Sequence, residues 1–259
     1  MQLPGQPCRH RTDCLMGITF LVLTITGGIA WFISTVAAGG AALLMIPVLT
    51  WLVGPQVVAP AISVGAFVAN PSRAWLFRKD VNWRVCCWLV PGSVCGAILG
   101  AWAFSQFPVF WIQLLLGSFL ISTVFQFRFG KSTRSFPMRL RWFFPLGLVI
   151  AGLSALVGGT GPVQNPFMLN YGLEKEQLIA TKAINSLVLQ LTKLLAYTGF
   201  GVMNWEIIAC GLSLGIGGAV GAWLAHRHLL TINIARFRLY TLILMPLCGV
   251  LMLLEAFSS

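Results

Sequence analysis

Between residues 142 and 200 an apolar run stops at Gly158-Gly159-Thr160-Gly161-Pro162 and a second, longer one carries Lys182 and Lys193. A glycine run closed by proline halts a helix and lets a new one start with Pro162 at its first position, where the missing N–H costs nothing. Inside a hydrocarbon layer such a break survives only where the freed backbone is covered by protein or lines a cavity. Lys182 and Lys193 are eleven residues apart, which on a helix sets them about 20° apart on one face and roughly 16 Å apart along the axis. Asn185 and Ser186 lie within about 60° of the same line. The sequence therefore predicts a polar stripe along an otherwise apolar helix, close to a broken one.

The rest of the chain sets this feature in a membrane. Of 259 residues 58% are hydrophobic and 9% charged, against about 25% charged in a soluble domain. The apolar residues fall in runs at about 15–38, 41–53, 57–77, 83–104, 108–127, 142–157, 163–171, 178–200, 204–225 and 236–256. Many of these have the roughly 20-residue length that spans a bilayer. The net charge of +11 sits mostly in short connections between runs, a positive-inside pattern and not a nucleic-acid footprint. The first run continues for some 24 residues past Arg9-His10-Arg11 without a small-residue cleavage site, which reads as an anchor. The seven cysteines include no CxxC and no Cys/His cluster at metal spacing, and read as packing residues. No metal or cofactor is expected.

The ten runs form two sets of five. Aligning Pro47 with Pro166 places Gly39-Gly40 on Gly158-Gly159 and Ser63 on Lys182. After a small insertion, Val81-Asn82-Trp83 falls on Met203-Asn204-Trp205 and Gly100-Ala101-Trp102 on Gly221-Ala222-Trp223. Run 41–53, too short to span alone, reads as half of a broken helix. The expected organisation is a tail at 1–14, a first repeat at 15–127, a basic linker at 128–141 and a second repeat at 142–257. The fold class is all-α, polytopic, with one broken helix per repeat at the midplane. If the repeats are inverted, thirteen cations fall on one side against Arg9 and Arg11 on the other; a parallel pair gives eleven against four. The positive-inside rule favours inversion.

Two half-helix starts aimed at a midplane cavity would present unpaired N–H groups to an anion. The expected substrate ligands in the second half are Gly158, Gly159, Thr160 and Gly161 with Lys182, Asn185, Ser186 and Lys193. In the first half they are Gly39, Gly40, Asn70 and Arg73. Asn70-Pro71 should kink its helix. Asp13, Asp80, Glu174, Glu176, Glu206 and Glu255 all lie in connections or at run ends, whereas cation permeases and carboxylate proton relays need acids in the membrane. No Ser/His/Asp, HExxH or Cys/His set meets there, so the chain does not read as an enzyme. The composition suits a secondary transporter of a small anion working by alternating access. A passive anion channel and a non-transporting membrane assembly partner are the alternatives. A coupling proton would ride on a lysine or on the anion itself. The small-residue line Gly211, Gly215, Gly218 and Ala222 could pack within the chain or form a homodimer.

At GGTGPVQNPFMLNYGLEKEQLIATKAINSLVLQLTKLLAY, with its partner AAGGAALLMIPVLTWLVGPQVVAPAISV, the chain resembles the sulfite exporter TauE/SafE family of membrane permeases. The resemblance spans roughly residues 17–255. It implies a bacterial cytoplasmic-membrane protein that moves small sulfur anions such as sulfite, sulfoacetate and other organosulfonates. The family pattern falls on Gly158, Gly159, Gly161, Pro162, Pro166, Ala180, Thr181, Lys182 and Lys193, and in the first half on Gly39, Gly40 and Pro47. The first half departs from it at Ala37-Ala38 and at Ser63.

Overall fold

The computed structural model describes residues 9–36, 41–76, 78–108, 110–112, 114–118, 138–227, 250 and 254. Gly39 and Gly40, the linker up to residue 137 and the run at 236–256 apart from residues 250 and 254 lie outside them. The described residues are helical, with no strand. The principal helices are α1 (Arg9–Val36), α2 (Ala41–Val53), α3 (Pro55–Ala69), α4 (Pro71–Leu76), α5 (Trp83–Gln106), α6 (Phe143–Val157), α7 (Asn165–Tyr171), α8 (Lys175–Gly199) and α9 (Trp205–Arg227), with short 3₁₀ turns at Arg78–Asp80, Leu140–Trp142 and Gly161–Gln164.

Among the described residues four segments are long and apolar enough to cross a membrane: Trp83–Gln106, Leu140–Val157, Glu176–Gly199 and Trp205–Ala225. Shorter apolar helices occupy Thr19–Thr35, Leu44–Val53 and Pro55–Ala69. Leu21, Ile25 and Ile29, four residues apart on α1, are exposed while Leu23, Ala30 and Trp31 are buried. This is the division that a helix with one lipid face requires. Exposed tryptophans mark helix ends at Trp75, Trp83, Trp142 and Trp205, as amphipathic rings do at a membrane surface.

The starts of two long helices share a device. The Asn82 side chain accepts from the Val85 N–H at 3.3 Å, and that of Asn204 from the Ile207 N–H at 2.8 Å. Each satisfies one of the donors left over at a helix start. These are the asparagines that the internal alignment places opposite one another. Asn70 is the one residue between α3 and α4, which begins at Pro71; it keeps a helical conformation, its N–H on the Ala66 carbonyl and its own carbonyl accepting from Ala74, so the interruption is the expected kink.

Glycine brings the helices together. A Cβ at Gly92, Gly96 or Gly100 on α5 would overlap the backbone of Phe144, Leu148 or Gly152 on α6, in that order. One at Gly217 or Gly221 on α9 would overlap the carbonyl of Thr24 or Gly28 on α1. Each pair is therefore parallel and in backbone contact, the small-residue packing that substitutes for a hydrophobic driving force in lipid. Gly211 and Gly215 press on Val64 and Val68 of α3, and Gly218 on Trp31 of α1. The small-residue line of α9 is thus used inside the chain.

The contacts link α6, α5, α8, α3, α9 and α1 as successive neighbours, with α3 against α8 at the centre. Asn82, just ahead of α5, donates its N–H to Thr181 Oγ1 of α8, and Ala97 clusters with Leu189 further along both helices, so this pair is parallel. Across the centre, Asn70 meets Ser186 while Ser63 lies against Tyr197, so α3 and α8 run in opposite directions.

Gly96→Leu should push α5 off α6 and lower stability by about 1–3 kcal/mol, whereas Gly199→Ala, with nothing within 4 Å of the added Cβ, should be near neutral. Thermal unfolding of the detergent-solubilised chain compares the two.

Candidate functional site

α6 ends because Gly158 takes φ +96°, a left-handed conformation, while its N–H bonds the Ser154 carbonyl at 2.8 Å. That geometry suits glycine and stops the helix. The chain then passes Gly159 and Thr160, makes a 3₁₀ turn over Gly161–Gln164, and enters α7 at Asn165 with Pro166 in the first two positions. The new α-helix thus begins at Asn165 and not at Pro162. A second proline four residues on sets the true α start, and the intervening residues form the tighter turn. Gly172, at φ +100°, closes α7 and hands the chain to α8.

Local hydrogen bonds hold the unwound stretch. The Thr160 hydroxyl donates to the Ile150 carbonyl at 3.1 Å, and the Val163 N–H bonds the Thr160 carbonyl at 3.0 Å. Thr160 is buried and its hydroxyl is committed, so only its backbone is left for a ligand. The break of the second half touches the first half directly. A Cβ at Gly159 would overlap Ala42, in the first turn of α2, and Gly158 lies against Ala59 and Ile62 of α3.

α8 reaches this stretch at both ends. Lys182 Nζ donates to Asn165 Oδ1 at 2.6 Å, at the start of α7. Lys193 is fully buried, and its Nζ donates to the Ser154 carbonyl and Ser154 Oγ, both at 3.4 Å, and to the Gly158 carbonyl at 3.3 Å. It does not snorkel; it sits on the last carbonyls of α6, where a cation is favoured by the helix dipole. One helix face thus delivers one lysine to each side of the unwound segment.

Between the lysines, Ser186 Oγ accepts from Asn70 Nδ2 at 2.9 Å, the polar link between α8 and α3. Asn185 is 1% exposed, and its Oδ1 has no hydrogen-bond partner. Gln190 Oε1, one turn before Lys193, is likewise buried and unpartnered. Buried acceptors are seldom left so, and these two, on either flank of the stripe, mark places suited to a donor from water or a solute. The structure therefore joins Lys182 to Asn165 after the unwound segment, Lys193 to Ser154 and Gly158 before it, and Asn70 to Ser186 across the repeats, with Gly159, Thr160 and Gly161 in the segment itself and Asn185 buried on α8. Arg73 lies on α4, with its side chain outside the described residues.

Four contributors lay outside the sequence expectations: Asn165, Ser154, Gln190 and Tyr197, whose hydroxyl donates to the Ala155 carbonyl. Gln190 stands about 80° from the Lys182 line, just past the arc that took in Asn185 and Ser186. Asn165 opens a helix of only 7 residues, too short to show a period, so only its nearness to the glycine break could have flagged it.

The Asn70–Ser186 bond should show in a double-mutant cycle: Asn70→Leu and Ser186→Ala should be coupled by about 0.5–1.5 kcal/mol in unfolding free energy. Strict additivity would mean that the two side chains do not hold α3 to α8.

A family model described as "Sulfite exporter TauE/SafE" matches residues 23–252. The chain is 30% identical over 154 residues to the "Probable membrane transporter protein YtnM" of Bacillus subtilis (strain 168), a match covering 54% of this chain and 51% of that protein. The chain thus spans about half the length of this curated relative. No solved structure matches. Together with the bilayer-length helices, the family match makes this a multi-pass membrane protein: the chain belongs to the sulfite exporter TauE/SafE family.

Proposed function

We propose that the chain is a secondary transporter of a small sulfur oxyanion, sulfite or an organosulfonate, which it moves by alternating access between repeats at 15–127 and 142–257 joined by the basic linker 128–141. The observation that carries this is the polar stripe of α8: Lys182 reaches Asn165 beside the unwound segment, Ser186 holds Asn70 of the first repeat, and between them the Asn185 amide oxygen is buried without a partner. Irregular backbone in a membrane belongs beside a cavity. Here it is met by a cation and by amide and hydroxyl groups, the donors that an oxyanion takes.

Several observations support inversion of the repeats. α3 and α8 occupy matching positions and run in opposite directions. α9 is parallel to α3 and to α1, and α5 is parallel to α8 and to α6. It follows that α1 and α6, α3 and α8, and α5 and α9, the three matching pairs, are each antiparallel. The succession α6, α5, α8, α3, α9, α1 exchanges its halves about the α3–α8 contact, as a two-fold axis in the membrane plane would require.

In this proposal Lys182 supplies the charge, releasing Asn165 when the anion arrives. Asn185 and Ser186 orient the oxygens, with Asn70 reaching across from the first repeat, and Gly158 to Gly161 present backbone. Gly39, Gly40 and Arg73 extend the site into the first half. Rocking of one repeat on the other about α3–α8 would expose the stripe to either side in turn.

In proteoliposomes, labelled sulfite or methanesulfonate should enter with saturable kinetics, and Lys182→Ala should lower the flux by about 10-fold or more, the loss of one charge-assisted contact. Non-saturable flux would point to a channel, and equal flux in both proteins would remove Lys182 from the pathway.

A further inference from the structure

Lys193 is fully buried, yet among the described residues no acid neutralises it. Its three partners are the neutral Ser154 carbonyl, Ser154 hydroxyl and Gly158 carbonyl, at 3.3–3.4 Å. Asp80, Glu174, Glu176 and Glu206 are exposed. The surrounding elements bring little else. α2, α3 and α6 carry no charged residue, and α4 contributes Arg73. α5 carries Arg84 with Cys86, Cys87 and Cys95, of which the last two are exposed, and α7 carries Tyr171. On α8 itself the nearest titratable group is Tyr197, one turn away, bonded to the Ala155 carbonyl.

The end of an interrupted helix, with unwound carbonyls beside it, is where membrane transporters coordinate a coupling cation. Here a side-chain ammonium holds that position. Its three acceptors match the three N–H bonds of an ammonium. They also fit the neutral amine: two carbonyls accept from the two remaining N–H bonds, and the Ser154 hydroxyl turns to donate to the nitrogen lone pair. A hydroxyl both donates and accepts, so the site satisfies either protonation state without moving a helix. Gln190 Oε1, one turn before Lys193, and Asn185 Oδ1 beyond it are buried acceptors without partners. They lie on opposite flanks of the Lys182–Lys193 line, about 140° apart around the helix, and mark places beside it where water can be held.

We propose that Lys193 is the coupling-ion site of this transporter, a tethered cation that binds and releases one proton per cycle where another transporter would bind sodium. This rests on the transporter function proposed above. In each cycle the ammonium gives one proton to water on one side, leaving a neutral amine, and the amine takes one proton from water on the other.

Methanesulfonate separates the protein's proton from the substrate's, because a sulfonate stays ionised throughout the working pH range. In proteoliposomes loaded with a pH-sensitive dye, a methanesulfonate gradient should change internal pH in step with anion flux, with no requirement for sodium. Lys193→Arg keeps a cation on the α6 carbonyls but cannot release a proton, and Lys193→Gln keeps neutral donors there. Both should lower the proton-to-anion ratio by one, with methanesulfonate or with sulfite, and should flatten the dependence of flux on the pH gradient. Native flux without a pH change, flux that requires sodium, or an unchanged ratio in a folded variant would overturn the assignment while leaving anion transport standing. Absence of saturable flux of either anion in the native protein would overturn the transporter function and this assignment together.

Discussion

A backbone that stops being helical inside a membrane must find partners for the groups it frees, and the stretch around residues 158–164 meets part of that demand within the chain. The last carbonyls of α6 are taken by Lys193 and Tyr197, both from α8, and Ile150 receives the Thr160 hydroxyl. In water these bonds would be optional, since solvent competes on equal terms. In hydrocarbon an unpaired amide or carbonyl costs several kcal/mol. The position of α8 against α6 therefore follows from the break as much as from apolar packing. Lys193 has two consequences from one placement: it closes the end of α6, and it puts an ionisable group at the centre of the molecule.

The two halves meet this demand differently, for a reason visible residue by residue. Where the second half has Thr160-Gly161-Pro162, the first has Ala41-Ala42-Leu43, all good helix formers. α2 is accordingly α-helical from Ala41, while the second half makes a 3₁₀ turn before α7. The pair Lys182 and Asn165 falls on Ser63 and Ile46, both buried; Ser63 turns its hydroxyl back onto the Ala59 carbonyl of its own helix. Lys193 falls on Ala74, also buried. Both lysines of the proposed pathway thus come from one repeat. The other supplies an apolar wall, Asn70, and the residues that Gly158 and Gly159 press against. Such a division leaves one repeat free to serve as support while the other binds.

Helices whose boundaries depend on their own residues were legible in the sequence. Ala41–Val53 and the kink at Asn70-Pro71 fall where expected, because glycine and proline act locally. The helical period likewise sets Lys182 and Lys193 on one face, and both turn to the stretch from Ser154 to Asn165. Partners distant in sequence were not legible. Ser154 and Lys193 are separated by 39 positions, and nothing in an apolar run ending in Ser-Ala-Leu-Val announces that its carbonyls receive a lysine. Asn82 and Asn204 stood out as repeat markers, but their capping role shows only in their bonds to Val85 and Ile207. The start of α7 was misplaced because Pro162 and Pro166 both satisfy the rule for a first helical position, and the rule does not choose between them.

The central claim is that the Lys182–Lys193 face of α8 lines a water-filled path. Single cysteines at 182, 185, 186, 189, 190 and 193, with controls at the exposed positions 191 and 195, placed in a chain freed of its native cysteines, would be tested against a membrane-impermeant, sulfonate-bearing thiol reagent. The account predicts labelling at 182, 185, 186 and 190 that methanesulfonate slows, and little at 191 and 195. Labelling confined to 191 and 195, or labelling at 182–190 that the anion leaves unchanged, would contradict it.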